Sequence, residues 1–252
     1  MNNKNFRFFF LTITLFISCM CYSQSSLSGD VIFKVISSKS INPVLNDSTV
    51  ITKQKTEYLE RLSEQFKNLE YSLKFSKNES FYELKKTMKN DGSSPYYSKY
   101  AEIIVGNHKI HVDIDSKIVL KQKELHGKTF LINDSLTKEW KIFRESKMIN
   151  GYNCYKAEKV VDNNKVVAWF TNDIPVPFGP DLYVGLPGLV LRLETPHVVF
   201  YAHKITFYDK ERNIKKLTKG LKMTKAEYDK YLKDKIEKDG FKRKALERIK
   251  KS

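Results

Sequence analysis

Apolar and polar residues alternate along much of this chain, and the alternation marks strands. Residues 29–37 put Val31, Phe33 and Val35 on one face and Ile32, Lys34 and Ile36 on the other. The spacing changes over residues 52–68. There Tyr58, Leu59, Leu62, Phe66 and Leu69 recur every three or four residues, which predicts an amphipathic helix. Short strands follow at 71–75 and 80–84, around Lys77-Asn78-Glu79, and residues 90–95 (NDGSSP) carry loop chemistry. From 100 to 208 the pattern is almost unbroken β, with strands expected at 100–105, 109–114, 117–125, 128–133, 138–145, 152–162, 165–171, 189–194 and 197–208. Turn signals separate them: Gly106-Asn107, Asp115-Ser116, His126-Gly127, Asn150-Gly151 and Asp162-Asn163-Asn164, where Asn tolerates the positive φ of a tight hairpin. Links this short join antiparallel neighbours only, because parallel strands need a long crossover. The expected fold is mainly β (α+β): a curved antiparallel sheet or half-barrel meander, with one early packing helix and a basic C-terminal helix.

Two segments break the pattern. Residues 174–189 (IPVPFGPDLYVGLPGL) hold four of the seven prolines, yet they also carry Ile174, Val176, Phe178, Leu182, Tyr183, Val184, Leu186 and Leu189. Proline lacks the ladder N–H, so the stretch is excluded from the middle of a sheet. Its apolar content equally excludes a solvated linker, so it is expected to fold back and plug one end of the core. Gly188 after Pro187 is expected at the positive-φ position of a type II turn. The second segment starts at residue 215. Thr224-Lys225-Ala226-Glu227 is a capping box, and Tyr228, Tyr231, Leu232 and Ile236 follow at helical spacing. Residues 215–252 carry 15 basic and 6 acidic residues, a large share of the formal charge of +16.

The N-terminus sets the compartment. Lys4 and Arg7 precede an apolar stretch over residues 8–17, and Cys21-Tyr22-Ser23 offers small residues at the cleavage positions. Residues 1–23 therefore read as a secretory signal cut between Ser23 and Gln24. A competing reading makes Cys19 a lipid-bearing residue, but Phe16 stands where lipoprotein signals usually have Leu. The expected domains are the signal (1–23), a β-rich domain (24–214) and a basic helical tail (215–252). Cleavage leaves Cys154 as the one remaining cysteine of three, which excludes an internal disulfide.

Candidate chemistry is thin. No H-E-x-x-H, C-x-x-C, G-x-S-x-G or phosphate-binding glycine loop occurs. His108 and His111 are three apart in a strand and point to opposite faces, so they make no metal site together. No catalytic residue, metal or cofactor is expected. Trp169, beside the proline-rich loop, is a candidate wall of a ligand pocket together with Phe178, Tyr183, Leu186 and Pro187 of the loop itself. Cys154, or the pair Asp173 and Asp181 flanking the loop, would have to carry any hydrolase chemistry. The basic tail offers attraction to an anionic membrane surface. Nucleic acid is not expected, because no base-stacking platform is interleaved with the lysines.

Several ordered motifs resemble one family. Gly185-Leu186-Pro187-Gly188-Leu189-Val190 is similar to the signature of the GLPGLI family, secreted proteins of Bacteroidetes. Upstream, Trp140 followed by Ile149-Asn150-Gly151-Tyr152-Asn153-Cys154-Tyr155-Lys156-Ala157 resembles another of its stretches, as do Ala168-Trp169-Phe170-Thr171, Ile174-Pro175 and Gly179-Pro180. The resemblance covers residues 28–232. It implies an envelope or secreted location and a β-rich fold, and it implies no catalytic residues. The expected function is non-enzymatic: the sheet, closed by the 174–189 loop, binds an apolar ligand or a cell-envelope partner. The alternative is a structural module that docks by its tail.

Overall fold

The computed structural model describes residues 27–38, 53–85, 95–136 and 139–249. The expectations for residues 1–23, including Cys19 and the cut after Ser23, lie outside the described residues. The chain runs β1 (Ser28–Ser37), α1 (Lys53–Lys67), β2 (Glu70–Phe75), β3 (Glu79–Leu84), α2 (Pro95–Val105), β4 (His108–Asp113), β5 (Ile118–Leu125), β6 (Lys128–Asp134), β7 (Lys141–Ile149), β8 (Tyr152–Val161), β9 (Asn164–Thr171), β10 (Leu189–Glu194), β11 (Val198–Tyr208), β12 (Leu221–Thr224) and α3 (Lys225–Ile249). The fold is mainly β, as expected, and the turns behave as their residues require. His126-Gly127, Asn150-Gly151 and Asp162-Asn163 all take positive φ.

The strands form one open sheet in the order β12-β6-β5-β4-β3-β2-β1-β11-β10-β9-β8-β7. Two meanders meet at the centre, where β1 pairs antiparallel with both β2 and β11. The sheet has to curl strongly. β6 and β7 stand ten places apart in that order, about 48 Å across a flat sheet. Yet the chain leaves β6 at Asp134 and enters β7 at Lys141, a span of about 25 Å even when fully extended. The two ends of the sheet therefore approach each other and leave a seam.

Register identifies the concave face. Tyr71 lies opposite Phe33, Tyr82 opposite Leu73, Ile110 opposite Tyr82 and Lys121 opposite Ile110. In the other direction Phe200 lies opposite Val35, Leu193 opposite Phe200, Ala168 opposite Leu193 and Ala157 opposite Ala168. Leu62 and Phe66 of α1 and Ala101 and Val105 of α2 pack into the same core as Val31 and Phe33. The Tyr71 hydroxyl donates to the Gly106 carbonyl just beyond α2, at 2.8 Å.

Three features differ from expectation. Residues 100–105 end a helix rather than form a strand, so two early helices pack here rather than one. Pro95 suits a first helical turn, and Ala101 and Val105, one turn apart, are the buried face. The β-branched run Ile103-Ile104-Val105 hid that spacing. Second, β12 pairs parallel to β6, the one parallel pair among the described strands. Third, residues just before it pack back onto the sheet, Ile214 and Leu217 against Phe81 and Leu131 on the convex face. The capping box is present. Glu227 accepts from the Thr224 amide at 2.7 Å and Thr224 Oγ1 accepts from the Glu227 amide at 3.2 Å. From there α3 lays Tyr228 and Tyr231 on Phe130 of β6, with ring centroids 5.4 and 5.1 Å apart.

Candidate functional site: the seam closed by the 174–189 loop

The β9–β10 connection is tied to itself and to the sheet. The Gly185 amide donates to Pro177, Leu189 to Ile174 and Val190 to Phe178, each at 2.9 Å. Ile174, Val176, Phe178, Val184 and Leu186 are buried. The prolines thus sit where no ladder bond is needed, and the apolar side chains enter the core. The expected positive φ at Gly188 is not there; Gly185 holds it, at 93°. Gly188 is needed for a different reason. A Cβ at that position would drive into the Thr171 carbonyl group.

Asp181, at the loop's tip, spans the seam. Its Oδ1 faces His108 Nε2 of β4 at 3.0 Å and Lys121 Nζ of β5 at 3.4 Å, and it accepts the Leu182 amide at 2.9 Å. Burial opposes the Asp181 charge. The Lys121 ammonium and His108 outweigh that and hold the carboxyl well below the usual carboxylate range. Burial pushes His108 below its ordinary value, so at neutral pH it is the uncharged imidazole that donates from Nε2. On the other side of the seam the Trp140 indole donates to the Val184 carbonyl at 3.0 Å. The Lys159 ammonium of β8 lies 4.8 Å from the Trp140 ring and 4.9 Å from the Tyr183 ring. Lys123, next to Lys121 on the concave face of β5, rests 5.8 Å from the Tyr228 ring of α3. The product is a cluster at the seam, in which cationic groups and aromatic rings gather around Asp181. It stays open to solvent, since 23% of the Asp181 side chain and 16% of the Lys121 side chain are exposed.

The residues singled out from sequence scatter. Tyr183 belongs to the cluster, its ring 4.9 Å from Lys159 Nζ. Phe178 and Leu186 are buried in the core, and Pro187 is exposed. Trp169 is nearly buried elsewhere; it pairs with Lys156 and carries Lys147 Nζ 3.6 Å from its ring. Cys154 is fully buried, and burial, reinforced by Asp173, pushes its thiol up to about 11. It is therefore the neutral, unreactive form at physiological pH. Asp173 is exposed on the Cys154 side while Asp181 is engaged across the seam, so the two do not work as a pair. Among the described residues no three His, Cys, Asp or Glu side chains group as a metal site, and no helix is long and apolar enough to cross a membrane.

Sequence reasoning missed His108, Lys121, Lys123, Lys159 and the hydrogen-bonding role of Trp140. One signal was available: a lone aspartate in a greasy loop needs a buried cation, and Lys121 and Lys123 alternate with Val119 on one face of β5.

The buried histidines make stability pH-dependent. On the convex face His111 is buried with both ring nitrogens unpartnered, and burial, with Lys216 adding to it, lowers its pKa against the weaker pulls of Glu79 and Asp113. Both histidines thus bind protons less readily folded than unfolded. Below the ordinary value of 6.5 the unfolded chain takes up more protons, so stability falls as pH falls. Asp181 adds a second loss below about 3.8, where the unfolded carboxyl protonates and the folded one resists. The urea midpoint is expected to drop between pH 7 and pH 5, with a slope of up to about 1.4 kcal/mol per pH unit for each histidine. His111→Leu should flatten that slope.

No curated protein sequence matches the chain. Two solved structures, described as "Structure of PNGF-II in P21 space group" and "Structure of PNGF-II in C2 space group", are similar in fold, with TM-scores of 0.53 and 0.50 at 16% identity. Each match covers 81% of this chain and 32% of the other, so the chain spans about a third of their length. Residues 157–192, which run from β8 through the loop into β10, match the model of a Bacteroidetes-associated family described as "Protein of unknown function (Porph_ging)", and over that stretch the chain is similar to its members.

Proposed function

We propose that the chain is a secreted or periplasmic, non-enzymatic binding module of the GLPGLI type, which takes a cell-envelope partner at the seam around Asp181 and Tyr183. One observation carries this reading. The loop is tied to both halves of the curled sheet, by Asp181 to β4 and β5 and by Val184 to Trp140, so the surface along the seam is preformed. A preformed site does not have to be ordered on binding, which favours affinity. Tyr183, Trp140 and a cation at its rim are the residue types that dominate binding surfaces. An envelope partner is favoured over a purely apolar ligand, because Phe178 and Leu186 are already used in core packing. The buried, protonated Cys154 weighs against thiol chemistry. The N-terminal apolar segment supports export. Docking by the tail is the second reading, supported by α3, whose first turns pack on β6 while Ile236 beyond them is 69% exposed.

Site-specific photo-crosslinking tests the first reading. Benzoylphenylalanine replaces Tyr183 in one strain of a Bacteroidetes host and Tyr201, on the convex face, in another. A discrete crosslinked species is expected from position 183 alone. No species, or the same species from both positions, would sink the seam as the binding surface.

A further inference from the structure

We propose that a cleft on the convex face, apart from the seam, binds a free α-amino acid. The cleft holds about 360 Å³, the small end of the range for ligand sites. It lies where the connection after β11 crosses the start of β1 and the end of β2, and its walls include Ser28, Asp30, Lys74, Arg212, Asn213 and Ile214. Register explains why these side chains meet. Val31 and Phe33 face the core, so Ser28 and Asp30 take the convex face of β1. Lys74 lies opposite Asp30, and Tyr208 lies opposite Ser28. Phe81, opposite Lys74 on β3, packs against Ile214 and so seats the connection over this face.

The cleft carries charges of both signs. Lys74 and Arg212 form no ion pair among the described residues. Arg212 lies over the Tyr208 ring, its guanidinium carbon 4.1 Å from the centroid. Stacking occupies the flat face of the guanidinium and leaves N–H groups along its edge, which match a planar carboxylate. The Tyr208 hydroxyl donates to Asp30 Oδ2 at 3.0 Å. That bond orients the Asp30 carboxylate and leaves Oδ1 for a cationic donor. Ser28 adds a second, independent observation. It is 1% exposed, and its hydroxyl has no hydrogen-bond partner. Buried hydroxyls are normally satisfied, so an orphan lining a cleft marks a place for a ligand atom.

The two signs decide the ligand class. Phosphate would set its charges against Asp30 as well as toward the cations, and a simple carboxylate would leave Asp30 unanswered. A zwitterion answers both. Its carboxylate goes to Arg212 and Lys74 and its ammonium to Asp30, while the Ser28 hydroxyl serves either group. Ile214 supplies an apolar wall, so leucine is the natural probe.

The test is a ¹H–¹⁵N NMR titration of the full-length chain with L-leucine. Saturable shifts are expected at the amides of Lys74, Asn213 and Ile214. Leucinamide lacks the carboxylate and 4-methylpentanoate lacks the ammonium, and each should bind at least about tenfold more weakly than leucine. Arg212→Gln and Lys74→Gln should each weaken leucine binding to the same degree, and their own spectra check that they fold. Lys233→Gln, exposed on α3, should bind as the unaltered chain does. Shifts that are absent from these amides, that either analogue reproduces at the same concentration, or that both cleft variants leave unchanged overturn the proposal. The cleft shares no residue with the seam, so its failure leaves the binding module standing.

Discussion

Gly188→Ala is expected to destabilise the protein by at least about 3 kcal/mol, the upper range for forced overpacking. The added Cβ would meet the carbonyl oxygen and carbon of Thr171 and the amide of Asn172. All three are backbone atoms, so no side-chain rotation relieves the crowding. Either the end of β9 or the start of β10 must shift, and with it the Leu189–Ile174 hydrogen bond that closes the loop. Gly185→Ala is the informative comparison. Its difficulty is conformational, a φ of 93°, and should cost about 1–2 kcal/mol. Urea denaturation of the two variants ranks them. A milder effect at Gly188 than at Gly185 would mean that turn conformation, and not close approach, places the glycine.

Asp181→Asn is the second large effect, expected near 3 kcal/mol, at the low end for breaking a buried ion pair because the site is partly open. The substitution keeps the size of the side chain and removes its charge. Lys121 is then left partly buried with no carboxylate partner, and the loop loses its tie to β4 and β5. Two readouts check it: the urea midpoint, and the rate at which protease cuts within residues 174–189. Both should move together. Asp173→Asn is the control; its side chain is exposed, and its effect should stay within about 0.5 kcal/mol. An Asp181→Asn protein as stable and as protease-resistant as the unaltered chain would show that apolar packing alone seats the loop. Loss of Asp181 should also remove the stability step below pH 3.8 while leaving the histidine step in place.

The particular residues show where local reading stops. The β1 alternation, the Asn150-Gly151 and Asp162-Asn163 turns and the Thr224–Glu227 cap each depend on contacts within a few residues, and each was readable. α2 was not, because Ile103, Ile104 and Val105 are as good in a strand as in a helix. What decides is Ala101 and Val105 packing into the core that α1 also enters. β5 posed a subtler problem. Its alternation separates Val119, Lys121 and Lys123 from Leu120, Gln122 and Glu124, but nothing within the strand says which set faces inward. Pairing with Ile110 and Val112 of β4 puts the lysines on the concave face.

The sequence by itself determined the strands, most of their turns, the helix cap and the presence of a stiff apolar segment bound to the sheet. Period, proline and glycine act locally, and local chemistry is what a linear pattern records. Only the tertiary structure decided that the sheet curls until its ends nearly meet, and that Asp181 reaches His108 and Lys121, 73 and 60 residues away in the chain. Such contacts follow from strand register and from the right-handed twist accumulated over twelve strands, neither of which leaves a mark on neighbouring residues.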